Sequence, residues 1–133
     1  MLLLTALSSV SFYLHNIGCR ALEARWSDHG GSESFREAVL EGLALARQYQ
    51  AECWIADDRQ LGPMQSADLE WVATDVLPAL AECGVRRLAI IESDDLLNRE
   101  LIEEAYSPPL DTLPIEVRHF TDLPTARAWA CSK

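Results

Sequence analysis

Cys53-Trp54-Ile55-Ala56-Asp57 is a short apolar run that ends at an acidic residue. Runs without alternating polar residues are typical of strands buried on both faces of a parallel, helix-covered sheet. Arg87 to Glu92 repeats the pattern, and Ile115 to Phe120 is predicted to form the last strand. Because helix-period segments separate these strands, the sequence predicts a layered α/β domain with right-handed crossovers.

An antiparallel hairpin is predicted before the first buried run. Apolar residues occupy every second position on both sides of a turn signal formed by Asn16 and Gly18. Such alternation is typical of half-buried strands joined by a turn. The alternating residues are Val10, Phe12 and Leu14, then Leu22, Ala24 and Trp26. The predicted order is therefore a β-hairpin followed by α-β-α-β-α-β-α, with a mixed sheet and helices packed on it.

Several residues mark where the helices begin and end. Ser34 followed by Glu37 predicts a capping box at the start of the first helix, with Ser32 as the alternative cap. The third helix is expected to end before Pro108, because proline lacks the amide that continues a helix. The caps expected for the third and closing helices are Ser93, Asp94 or Asp95, and Asp122.

The second helix contains an interior proline. It is predicted to begin at Ser66 and to stop at Gly84, a residue type that commonly ends helices. Pro78 removes one backbone hydrogen bond from the middle of this segment. We therefore expect a kink near Thr74 or an early end of the helix.

The charge of the chain excludes several functions. The 133 residues include 21 acidic and 11 basic side chains, a formal net charge of −10, and Lys133 is the only lysine. Nucleic-acid binding rests mainly on neutralising phosphates with Lys and Arg, so we expect none. Cofactor chemistry that needs an internal lysine, such as a Schiff base, is also not expected.

The N-terminus predicts a cytoplasmic protein, and the cysteines are considered in that context. Met1 to Leu4 are apolar but are not preceded by a basic residue, so they are not predicted to begin a signal peptide. No apolar stretch is long enough for membrane insertion. Four cysteines are spread along the chain without the paired spacing of zinc sites: Cys19, Cys53, Cys83 and Cys131. We expect all four to be free thiols.

The order of elements from Val10 to Cys131 resembles that of STAS domains, the fold of bacterial anti-sigma factor antagonists and of the related SpoIIAA-like proteins. The resemblance implies a single domain over residues 1–133 that acts as a non-enzymatic regulatory or protein-interaction module, with no catalytic residue, cofactor or metal. The features that carry it are the hairpin ending at Trp26, the strand Cys53 to Asp57, the loop into Ser66-Ala67-Asp68-Leu69, and Phe120-Thr121-Asp122-Leu123.

Ser66 is the residue that this resemblance singles out. In the antagonists, a partner kinase phosphorylates a serine in an Asp-Ser-Ser-Gly-like stretch after the third strand. The matching stretch here is Gln65-Ser66-Ala67-Asp68-Leu69, in which Gln65 and Asp68 depart from that pattern. Capping of the second helix would also explain a serine at this position. Ser66 is thus a candidate for phosphorylation and, alternatively, a helix cap.

The resemblance also implies a surface for an unidentified protein partner. This surface is the loop from Asp58 to Gln65 together with the start of the second helix. Trp71 is expected to be exposed there, because it lies beside the inner stripe of that helix. The residues predicted to contact the partner are Asp58, Arg59, Met64, Gln65 and Trp71. The sequence also leaves a homodimer open.

Two other functions stay open. The SpoIIAA-like group is related in fold to SEC14-type domains, so a small-molecule or lipid-binding module is an alternative, which would need an apolar pocket. A metal-dependent phosphoryl-transfer enzyme is less supported. It would use acidic residues at the carboxyl ends of strands, namely Asp57, Asp58, Glu92, Asp94 and Asp95. The three histidines, His15, His29 and His119, lack metal-binding spacing.

Overall fold

The computed structural model describes residues 1–28 and 30–132. The strands are β1 (Leu2–Ala6), β2 (Val10–Asn16), β3 (Arg20–Trp26), β4 (Cys53–Asp57), β5 (Arg87–Ile91) and β6 (Glu116–Phe120). The helices are α1 (Ser32–Gln48), α2 (Ser66–Trp71), α3 (Leu77–Glu82), α4 (Leu96–Leu110) and α5 (Leu123–Ala130), with a π-helical turn at Val72–Val76 between α2 and α3. Within this part of the chain, no helix combines the length and hydrophobicity needed to cross a membrane.

The six strands form one mixed sheet in the order β1-β2-β3-β4-β5-β6. The first three strands are antiparallel, and β3 to β6 run parallel to one another. The predicted hairpin is confirmed, because Val10 pairs with Trp26 and Asn16 pairs with Arg20. The mixed α/β architecture predicted from the buried runs is therefore the one observed.

Strand β1 was not predicted. It adds an edge to the sheet by pairing with β2, for example Leu3 with Tyr13. Its side chains are largely exposed, with Leu2 at 58% and Leu3 at 52%. A strand whose sequence does not alternate and whose side chains stay exposed lacks the periodic signal that reveals strands.

The two faces of the sheet carry different cores. Helices α1 to α4 and the π turn cover one face with the larger cluster, which includes Phe12, Leu22, Trp54 and Leu88. Helix α5 alone packs on the other face, where a smaller cluster forms. The members of the smaller cluster are Ala21, Cys53, Ile55, Ala89, Ile91, Ala126, Trp129 and Ala130.

The interrupted second helix matches its prediction. In the π turn, the amide of Leu77 donates to the carbonyl of Val72, five residues earlier. Pro78 follows directly and has no amide to donate to the carbonyl of Thr74. The helix is thus interrupted near Thr74 by the π turn, and α3 ends before Gly84, whose φ is 106°.

The helix caps agree with the sequence in part. The carboxylates of Asp95 and Asp122 accept bonds from backbone amides three residues later, so these two caps are confirmed. The predicted end of α4 is wrong, because the helix continues through Pro108 and closes at Leu110. The amide of Asp111 supplies a closing bond that the prolines cannot make.

The capping box predicted for α1 is wrong. The helix begins at Ser32, after Gly31, and has no side-chain cap bond. Ser32 instead donates its hydroxyl hydrogen to Asp68, at 2.7 Å, and Arg36 donates to the same carboxylate at 2.9 Å. Asp68 is fully buried, so these bonds fix the start of α1 against α2.

The cysteines correct a second prediction. Cys19, in the turn between β2 and β3, forms a disulfide with Cys131 at the end of α5, and their Cα atoms are 5.3 Å apart. The expectation of four free thiols is therefore wrong, and only Cys53 and Cys83 are free. The pair is separated by 112 residues, so spacing in the sequence gave no sign that the last helix returns to the first hairpin.

Candidate functional site

An open groove lies between the α2–π segment and α4. Its volume is about 420 Å³. The buried floor includes Leu69 and Ala73, and half-buried α4 residues form the other wall. The residues that line the groove are Ser66, Leu69, Glu70, Ala73, Thr74, Leu101, Glu104, Ala105 and Pro109. This surface can accept apolar side chains of another molecule.

The rim of the groove is acidic. Glu70 extends from the α2 side and Glu104 from the α4 side, and both side chains are exposed. None of the described residues that line the groove is basic. An apolar floor between two carboxylates is complementary to an apolar segment that carries Lys or Arg at its edges.

Ser66 lies at one end of this groove. It is the first residue of α2 and is exposed. The N-cap position belongs to Gln65, and no side-chain cap bond is made there. The capping explanation for Ser66 is therefore wrong. Its hydroxyl is placed where a modification would change the charge of the groove.

Two of the residues predicted to contact a partner are buried. Asp58 is 6% exposed and Met64 is 7% exposed. The amide of Met64 donates to the side chain of Asn98 at 3.1 Å, and Asn98 in turn donates to the carbonyl of Leu61. Asn98 was not singled out in the sequence, although this fully buried amide fixes the loop between β4 and α2 to α4.

The other predicted contact residues are spread over the surface. Arg59 makes two bonds to the carboxylate of Asp57, at 2.9 and 2.8 Å. Gln65 is exposed beside the groove. Trp71 is half-buried rather than exposed, because its ring packs against Phe35 and under the Arg36 guanidinium. The predicted residues therefore do not form one continuous surface.

The acidic strand ends do not converge. Asp57 pairs with Arg59, Glu92 lies 3.3 Å from Arg99, and Asp95 caps α4. Among the described residues, no group of three or more His, Cys, Asp or Glu side chains could hold a metal ion. His29 lies outside the described residues.

An interior cavity of about 70 Å³ lies on the helical side of the sheet. Aromatic and aliphatic side chains form most of its wall, including Trp26, Phe35 and Trp54. Asp58 and Tyr106 are polar, and Trp26 and Trp54 each add an indole N–H donor. Burial raises the pKa of Asp58 to about 7, and the charge of Asp57 adds to this effect. Burial and then Asp58 raise the pKa of Tyr106 far above its ordinary value.

A buried charge network lies on the opposite face of the sheet. Glu23 is fully buried and accepts bonds from Arg25 and Arg127, and His15 lies 3.0 Å from it. Burial raises the pKa of Glu23, but the bonds from Arg127 and Arg25 outweigh it and hold that pKa below its usual range. The network joins β2, β3 and α5. Glu23 in the alternating hairpin was the only sequence signal for it.

Comparisons with known proteins support the fold. No protein-family model matches the sequence, and no curated protein matches it either. The structure is similar to the crystal structure of an uncharacterised DUF3478-family protein from Shewanella loihica PV-4, which has a SpoIIAA-like fold. The TM-score is 0.50 at 18% sequence identity, over 96% of this chain and 98% of that chain. At this identity the similarity establishes the fold alone, and this chain has a SpoIIAA-like fold.

Proposed function

We propose that this SpoIIAA-like domain is a non-enzymatic regulatory module that binds a protein partner in the groove between α2 and α4. The observation that supports this function is the apolar floor of the groove between the exposed carboxylates of Glu70 and Glu104. A net charge of −10 adds attraction for basic partners. The partner that fits is an amphipathic helix with an apolar face and flanking Lys or Arg residues.

Phosphorylation of Ser66 would regulate this binding. A phosphate adds about two negative charges near neutral pH. Ser66 is exposed at the end of the groove, so a kinase can reach its hydroxyl. Against a basic partner, the added charge strengthens attraction at the groove.

Charge reversal tests this function. Glu104→Lys should reduce capture of the partner from an extract of the native host at least tenfold, because it places a repulsive charge at the rim. Glu103→Lys changes the net charge equally on an exposed neighbour outside the groove and should retain capture. Ser66→Asp should increase capture relative to Ser66→Ala. Equal losses for the two lysine variants would contradict the groove as the binding surface.

Small-molecule binding is the second candidate function. The interior cavity beside Asp58 favours it. At about 70 Å³, however, this cavity is far below the roughly 300–1,000 Å³ of pockets for drug-sized ligands. It therefore supports a small ligand better than a lipid of the SEC14 type. Metal-dependent phosphoryl transfer finds no support in the placement of Asp57, Glu92 and Asp95.

The location of the protein stays a prediction. The expectation of a cytoplasmic protein rested on the lack of a predicted signal peptide and membrane span, and the four free thiols were expected partly from that location. The Cys19–Cys131 disulfide argues against that location, because disulfides are rare in reducing compartments. A homodimer likewise stays a proposal, and the exposed edge strand β1 is where the sheet could be extended.

A further inference from the structure

The carboxyl group of Asp58 is buried without a partner. Asp58 is 6% exposed and lines the interior cavity. No hydrogen bond from a described residue reaches its carboxyl oxygens, and these oxygens are not among the fully enclosed unsatisfied atoms, so a molecule in the cavity can contact them. An unsatisfied buried polar group costs free energy, so native proteins rarely contain one without a water, ion or ligand beside it. We therefore expect a hydrogen-bond donor inside the cavity, beside the carboxyl group of Asp58.

Water is not the only molecule that fits this largely apolar cavity. By volume, about 70 Å³ has room for several water molecules, since one occupies roughly 10–15 Å³. A buried water normally needs two to four polar partners. Among the described lining residues, the polar side-chain groups are the Asp58 carboxyl, the Tyr106 hydroxyl and the indole N–H groups of Trp26 and Trp54, and the rest of the wall is apolar apart from backbone groups. A molecule with one polar end and an apolar body matches this wall better.

The aromatic side chains in the wall indicate which charge the polar end of the bound molecule carries. Trp26, Phe35 and Trp54 line the same cavity as Asp58, and Trp26 packs on Phe35 with their ring centroids 5.2 Å apart. Aromatic faces attract cations, and a carboxylate forms its strongest hydrogen bonds with charged donors. Among the described residues that line the cavity, there is no Lys, Arg or His that would repel a cation.

We propose that this cavity binds a small alkylammonium ion, with its ammonium group donating to the Asp58 carboxylate and its alkyl group among the apolar side chains. This site is separate from the groove between α2 and α4, because the cavity and the groove have no lining residue in common. The π turn contributes Val72 and Val76 to the wall. Turns of this kind are frequent at functional sites.

Three probes of similar size test the proposal: n-propylammonium, n-propanol and propionate. Binding is followed at pH 8, where Asp58 is ionised, from the NMR signals of the Trp26 and Trp54 indole groups. We expect saturable shifts with n-propylammonium and binding about tenfold tighter than that of n-propanol, because charged hydrogen bonds are stronger. Propionate should produce no saturable shift.

Two variants connect the binding to Asp58. Asp58→Asn keeps the size of the side chain and should weaken n-propylammonium binding at least tenfold. Glu103→Gln removes an exposed carboxylate elsewhere and should leave binding unchanged. The proposal is overturned if no probe gives a saturable shift, which would indicate a water-filled cavity. Equal binding of n-propanol, or unchanged binding in Asp58→Asn, would overturn it as well.

Discussion

Asp58 shows how neighbouring residues at the end of one strand reach different environments. Asp57 turns toward Arg59 and is paired by two hydrogen bonds, whereas Asp58 faces the interior cavity. The resemblance to STAS domains placed Asp58 at a partner surface. Burial by the aromatic side chains that converge from α1 and the sheet could not be derived from local sequence.

The raised pKa of Asp58 makes the stability of the protein depend on pH. Asp58 holds its proton more tightly in the folded chain than in the unfolded chain. Its stabilising contribution to the free energy of unfolding is therefore complete below about pH 4, where Asp58 is protonated in both states. This effect is lost as the pH rises to about 7, at about 1.4 kcal/mol per pH unit. We expect Asp58→Asn to remove this decline. Denaturant unfolding of both proteins from pH 4 to pH 8 measures it, and parallel curves would contradict the assignment.

At the scale of elements, the sequence predicted what local chemistry controls. Residues that are close in the sequence determine the hairpin and the buried strands. They also determine the caps at Asp95 and Asp122 and the interruption of the helix at Pro78. The failures depend on tertiary contacts. Ser32 bonds to Asp68 on another helix instead of capping its own, and α4 passes through Pro108 because its remaining turns are held by packing.

Helix α1 contains a position where the sheet approaches the backbone closely. A Cβ atom on Gly42 would lie 2.5 Å from the Trp54 ring and 2.6 Å from the Phe12 ring. Gly42→Ala should therefore lower the free energy of unfolding by about 1–2 kcal/mol, since overpacking outweighs the gain in helix propensity. Gly62→Ala is the control, because nothing lies within 4 Å of its Cβ position. Chemical denaturation measures both, and a stabilised Gly42→Ala protein would contradict the packing.

At the scale of the whole molecule, the ends of the chain are joined. The Cys19–Cys131 disulfide and the Glu23–Arg127 ion pair both fix α5 to the hairpin. The sequence predicted α5 but not these links, because each joins residues more than 100 positions apart. The groove was missed for the same reason. The gap between α2 and α4 depends on how both helices pack on the sheet.

Removal of the disulfide should destabilise the protein. A loop of 112 residues implies a loss of roughly 2–5 kcal/mol in the Cys131→Ser variant, since the unfolded chain gains freedom. Cys83→Ser removes a half-buried free thiol and should lower the free energy of unfolding by less than Cys131→Ser does. Thiol titration of the denatured, unreduced protein should find two free thiols. Four would show that the disulfide does not form.

The groove between α2 and α4 is tested most directly by photo-crosslinking. A photoreactive amino acid replaces either Leu101, which lines the groove, or Leu97, which is 65% exposed on the same helix outside it. Each protein is irradiated in an extract of the native host, and crosslinked peptides are sequenced by mass spectrometry. We predict that position 101 captures one recurring partner segment with an apolar face and flanking Lys or Arg, and that position 97 does not. Equal capture at both positions, or an acidic segment at position 101, would contradict the proposed function.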